Sequence, residues 1–249
     1  MLKAAFILCL TLATHLSADN PPLPGFDQAG SDPKAIALAD QTMERMGGRQ
    51  NWDATRYITW RFFGKRLHVW DKWTGDIRVE ADGGTVLMNI HTKKGKAWKD
   101  AAEITNSDAL QQALDGAYKA WINDSYWLVM PYKLKDSGVT LKYLGAGHTE
   151  DDRAADILEL TFKEVGVSPQ NKYHVYIDQQ EKLVTQWDFY STSDAAEPRF
   201  KGSWANWQAY GKILLSDNRG ERGHSGVAVF DELPQRVFTH PDPVEFSGK

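Results

Sequence analysis

The sequence is short of several things, and each shortage excludes a class of function. Its single cysteine among 249 residues is Cys9. No internal disulfide forms from one cysteine, and Cys9 falls in a segment that reads as a removable leader. A working protein without it has no thiolate nucleophile and no cysteine metal ligand. There is no basic excess: 29 Lys and Arg stand against 33 Asp and Glu, a formal charge of -4. Nucleic-acid binding, which needs cations to neutralise phosphates, is therefore not expected. No apolar run reaches the roughly 20 residues a membrane helix needs. HExxH, GxSxG and a glycine-rich phosphate loop are all missing, and no two histidines fall at helical ligand spacing. No cofactor is indicated. Repeats and low-complexity segments are absent as well.

What is present begins with residues 1–18. Lys3 precedes an apolar stretch, Ala4 to Ala13, and Leu16-Ser17-Ala18 ends in the small residue that an export cut requires. Cys9 follows Leu8 in mid-run, which is the wrong setting for a lipid anchor. An exported chain without disulfides fits the bacterial periplasm, and residues 19–249 are expected to form one domain.

After a Pro- and Gly-rich lead-in, Asp32-Pro33 sets the start of a helix that Gly47-Gly48 closes, with Trp52 in a short connection. From Tyr57 the pattern changes to period two. Turns at Gly64-Lys65, Thr74-Gly75-Asp76, Asp82-Gly83-Gly84 and Lys93-Lys94-Gly95 divide it into a meander. The lysines 93, 94, 96 and 99 read as a solvated hairpin rather than a phosphate patch. One long helix interrupts. After Asn106, apolar or small groups recur at Leu110, Leu114, Ala117, Tyr118, Trp121 and Ile122, and Pro131 ends the run. Strands resume at Val139 and continue to Phe230, Phe200 to Tyr210 being read as one of them. Within that strand, Trp204 and Trp207 are expected on opposite faces.

The stretch "NDSYWLVMPYKLKDSG", residues 123–138, gathers Tyr126, Trp127, Leu128, Val129, Met130 and Tyr132 at the end of that helix. So many strands cannot lie in one flat sheet; they twist and curl, and the concave face must be covered. The fold class expected is α+β, a curved antiparallel sheet or half-open β-barrel with helices covering the concave face. The long helix is the element of the right size to fill the hollow. A helix in a half-closed barrel leaves apolar space at its rim, suited to an acyl chain. Trp60, Phe62, Trp127, Met130, Trp187 and Phe189 are the expected lining.

Three segments carry a resemblance: "ALADQTMERMGGRQNWDATRYITWRF", "DSYWLVMPYKLKDSGVTLKYLG" and "WANWQAYGKILLSD". They resemble the LolA/LolB-like periplasmic lipoprotein carriers, and more closely the outer-membrane lipoprotein-sorting-protein-like chains of unassigned activity. The resemblance implies an apolar cleft holding lipid or lipoprotein acyl groups, with an envelope protein as a further partner. The chain departs from the pattern in its length, its tail after Phe230 and its lack of a lipobox cysteine.

The leading expectation is a non-catalytic periplasmic binding protein. The alternative is a carbohydrate-binding module or glycoside hydrolase, with tryptophans stacking on sugars and a carboxylate pair drawn from Asp71, Asp76, Glu80, Glu159 and Asp188. An envelope-assembly protein is a third reading. His148 beside Glu150, Asp151 and Asp152 reads as a solvated turn and not a metal site, and Arg219 to Gly226 as a flexible loop holding His224 and Ser225.

Overall fold

The computed structural model describes residues 20–166 and 168–246. The leader read from residues 1–18 lies outside the described residues. Helix α1 (Pro33–Arg45) starts where Asp32-Pro33 placed it, but the Asp32 carboxylate does not cap it. It accepts instead from the backbone N–H of Tyr143 at 3.0 Å and from Lys142 Nζ at 3.2 Å. Gly47, at φ 113°, ends α1 and opens α2 (Gly48–Ala54). Trp52 therefore sits on a short helix, not in a connection. Its indole stacks on the Tyr132 ring at 4.1 Å.

The meander is β1 (Tyr57–Phe62), β2 (Arg66–Asp71), β3 (Asp76–Ala81), β4 (Gly84–Asn89), β5 (Gly95–Lys99) and β6 (Ala102–Glu103). Its first turn, a three-residue loop with Lys65 N–H donating to the Phe62 carbonyl at 2.9 Å, places Phe63 and Gly64 at φ 47° and 69°, the left-handed pair of a type I′ turn. Helix α3 (Ser107–Val129) follows, with the Asn106 side chain accepting from the N–H groups of Asp108 and Ala109. A 3-10 turn, Met130–Lys133, extends it. The second strand block is β7 (Val139–His148), β8 (Ala154–Phe162), β9 (Lys172–Asp178), β10 (Val184–Tyr190), β11 (Phe200–Ser203), β12 (Ala205–Tyr210), β13 (Ile213–Arg219) and β14 (Arg222–Phe230).

These strands form two antiparallel sheets, ordered β12-β13-β14-β1-β2-β3-β4-β5-β6 and β11-β10-β9-β8-β7. The chain passes from the second to the first through Trp204. The sheets curve around α3. Its N-terminal half packs Leu114 and Ala117 on Ile77, Val79 and Met88, and its end packs Leu128 and Val129 on Ile58, Trp60 and Leu215. The expected arrangement, helices on the concave face of an open curved antiparallel sheet, is the one found.

Three details differ from the sequence reading. The segment Phe200 to Tyr210 is two strands in different sheets, with Trp204 between them and Asn206 at φ 57° near the start of the second. Trp204 and Trp207 are consequently not on opposite faces; their rings stack at 6.3 Å. Residues 219–226 are not a flexible loop but the end of β13, the turn and the first half of β14. The tail after Phe230 docks on the convex face. There Arg78, fully buried, donates to the carbonyls of Val237 at 3.0 Å, His240 at 2.7 Å and Pro241 at 3.1 Å, and also to that of Asp242.

Candidate functional site

The two flanks of α3 are unlike. On the flank toward β1, β2, β13 and β14 the space is filled, and a buried carboxylate is met there by an arginine and a histidine. Asp124, fully buried, receives Arg66 Nε and Nη2 at 2.7 and 2.8 Å and lies 2.7 Å from His68 Nε2. Burial opposes the Asp124 charge, but His68, Arg66 and Asn123 together hold its carboxyl below the usual range. Burial also holds His68 below its usual range, against the pull of Asp124, and because the carboxylate can only accept, His68 Nε2–H donates to it.

The helix end is closed by a device that follows from Pro131. Proline has no N–H, so the Trp127 carbonyl loses the donor four residues on. Arg219, buried, supplies Nε and Nη2 to that oxygen at 3.2 and 2.6 Å, and His224 Nε2 lies 3.1 Å away. Arg219 also donates to Ser216 Oγ at 2.7 Å, and its guanidinium lies 3.5 Å from the centre of the Trp204 ring. Burial depresses both groups, His224 to about 4.

On the other flank, between α3 and the β7–β9 end of the second sheet, lies a cleft of about 420 Å³. Trp121, Ile122, Tyr126 and Val129 line it from the helix, and Phe162 and Tyr173 from the strands. Its aromatic walls interlock. Tyr126 lies 5.6 Å from Tyr173 and edge-on to Phe162 at 6.2 Å, while Trp70 meets Trp121 edge-on at 5.4 Å. Lys133 and Asp136 both line the rim and form an ion pair with each other. Burial pushes the Tyr173 hydroxyl up to about 12, against a hydrogen bond with Asn171.

Of the residues read from sequence, Trp127 lines this cleft. Trp187 lies behind it, buried, with its ring edge-on to Trp127 at 4.7 Å and stacked on Tyr173 at 5.0 Å. Phe189 is one layer further, 5.3 Å from Tyr173 and 5.0 Å from Phe200. Phe62 touches Trp127 edge-on at 6.3 Å from the filled flank. Trp60 and Met130 are enclosed in the cores and do not line the cleft. Sequence reasoning missed Trp70, Tyr118, Trp121, Phe162 and Tyr173. The first three had a signal: Tyr118 and Trp121 were already in the helical stripe, and Trp70 alternates on β2.

The five carboxylates of the hydrolase alternative do not line the cleft. Asp71 pairs with Arg56 at 2.9 Å, Glu80 with Arg78 at 2.5 Å and Glu159 with His174 at 3.3 Å. Asp188 accepts from Tyr176 and Gln186 at 2.9 and 2.8 Å, and Asp76, the first residue of β3, accepts from Thr74 and Asn89, each at 2.9 Å. Among the described residues, no three His, Cys, Asp or Glu are grouped to hold a metal ion, and no helix is long and apolar enough to cross a membrane.

No protein family model matches the chain, and no curated protein does. Solved structures do. A DUF1329 family protein from Desulfovibrio piger is 14% identical, covers 84% of this chain and 98% of its own, and superposes with a TM-score of 0.44. A domain assigned as an outer membrane lipoprotein-sorting protein, from Vibrio parahaemolyticus, is 9% identical over 82% of this chain and 96% of its own, at a TM-score of 0.40. A LolA superfamily protein from Nitrosomonas europaea is 10% identical over 82% and 96%, at 0.36.

Proposed function

We propose that this protein binds an apolar ligand, a lipid or a lipoprotein acyl chain, in the cleft beside α3 and carries it without chemical change. One observation carries the reading: a helix buried against one sheet leaves a walled apolar hollow against the other. A volume of about 420 Å³ is within the range of about 300–1,000 Å³ usual for small-molecule sites. Trp127 faces the ligand, Trp187 backs the wall, and Phe62 and Phe189 support those two from behind. Residues 19–249 act as one unit, because α3 contributes side chains to the cores under both sheets. The leader signature supports export to the periplasm.

The test is native mass spectrometry with lipid extraction of the purified protein, set beside Ile122→Trp. Ile122 is half-buried and lines the cleft. The native chain is expected to yield bound acyl species, and the filled variant to lose them while its thermal midpoint changes little. A native chain that stays empty when offered acyl lipids sinks the proposal.

A further inference from the structure

The cleft differs from end to end. Tyr118 and Trp121 line it early on α3, and Trp70 from β2 meets Trp121 there. From Tyr118 to Val129 the helix runs about 16 Å along the cleft. Beyond Val129 the lining changes character. Lys133, Asp136 and Ser137 follow on the turn into β7. Val139 pairs with Phe162, and the Lys163 N–H donates to the Gly138 carbonyl at 2.9 Å, so the β8–β9 connection leaves beside that turn. It brings Ser168 and Asn171 to the same end. An oily end and a polar end suit an amphiphile held in one direction, its chain toward Trp121 and its head toward Asp136.

The polar end also narrows the kind of head. Among the described residues, Lys133 and Asp136 are the only charged side chains lining the cleft. They pair with each other, and with side chains 38% and 19% exposed both are open to a ligand at the rim. Their charges sum to zero. A head of one sign drawn to either residue meets repulsion from the other, and a neutral head gains no ion pair. A head carrying both signs is attracted twice: its anionic group meets the Lys133 ammonium and its cationic group the Asp136 carboxylate.

We infer that the cleft selects a zwitterionic amphiphile, an acyl chain ending in a head of the phosphocholine or phosphoethanolamine type, with Lys133 at its phosphate and Asp136 at its ammonium. This names the lipid class of the proposed function and rests on the reading of the cleft as an apolar-ligand site.

The full chain, Asp136→Asn and Lys133→Gln are each titrated with dodecylphosphocholine, dodecyl phosphate, dodecyltrimethylammonium and monododecanoylglycerol, below their micelle concentrations and read by tryptophan fluorescence. Each substitution removes one charge and keeps a polar side chain. The native protein is expected to bind dodecylphosphocholine tightest. Each variant should lose about two- to fivefold of that affinity, the effect of one partly exposed ion pair. Their preferences should then part. Asp136→Asn frees Lys133 and turns to dodecyl phosphate, whereas Lys133→Gln frees Asp136 and turns to dodecyltrimethylammonium. A pair that only braces the turn into β7 would produce no such exchange. A native protein that binds the neutral probe or a singly charged one as tightly as dodecylphosphocholine overturns the inference and leaves the apolar reading intact, as do two variants that keep the native order of preference. If no probe binds the native protein, the apolar reading itself fails and takes the inference with it.

Discussion

The two flanks of α3 use the same kinds of residue to opposite ends. Toward the first sheet, Phe62, Trp60, Leu128 and Val129 close on one another, and the Asp124 carboxylate and the Trp127 carbonyl are each met by an arginine and a histidine. Toward the second sheet, Tyr126, Trp121, Phe162 and Tyr173 stand apart around a hollow. The difference lies in what the neighbouring strands offer. Arg66, His68, Arg219 and His224 all point at the helix from β2, β13 and β14. Where α3 faces β7–β9, the cleft lining from those strands is Val139, Phe162 and Tyr173, none of them charged. The filled flank anchors the helix, and this anchoring leaves the other flank free to stay open.

If that division is right, damage to each flank has a separate readout. The largest effect is expected at Asp124. Changing Asp124→Ala strands Arg66 and His68, and breaking a buried pair from one side costs about 3 kcal/mol, at the low end because Arg66 is one-third exposed. Urea denaturation would report it, and the fraction still folded should bind apolar ligand with unchanged affinity. A large loss of affinity in that fraction would break the comparison.

Next comes Arg219→Met. It keeps much of the side-chain bulk over Trp204 but removes the main donor to the Trp127 carbonyl. A buried oxygen stripped of its principal partner costs about 2 kcal/mol. A stability change close to zero would mean that His224 alone satisfies the helix end.

The effect that is smallest near neutral pH is a slope with pH. His224 is held neutral in the fold, with its folded value near 4 against an ordinary 6.5, so the unfolded chain binds the extra proton between those values. Stability is therefore complete above about pH 6.5 and falls as the pH drops toward 4, by at most about 1.4 kcal/mol per unit for this one group. His68 acts in the same sense. Denaturation midpoints across that window should show a shallower slope for His224→Asn than for the native chain. Equal slopes would remove His224 from the account.

Much of the fold could be read along the chain, because it rests on local pattern. The stripe from Leu110 to Ile122 gave α3, the alternation from Tyr57 gave β1 and β2, and Pro131 gave the helix end. What escaped reading depends on partners far apart in sequence. Asp124 looks like an ordinary helical acid until β2 brings Arg66 and His68 beneath it. Trp204 and Trp207 obey strand alternation only if one strand contains both, and the crossing between sheets divides them. The cleft was legible as a need for apolar space beside the long helix, but its walls were not. Trp60 and Met130 have the right chemistry and lie in the cores; Phe162 and Tyr173 looked like ordinary inward strand residues.

The grip of Arg78 on the tail has a consequence for how that segment tolerates change. Its guanidinium holds main-chain oxygens at positions 237, 240, 241 and 242, and no side chain of the tail takes part in those bonds. Such a clasp is indifferent to the chemistry of the letters at those positions and sensitive to their count. Swapping residues there leaves the oxygens in place, whereas inserting or deleting a single one shifts them out of reach together.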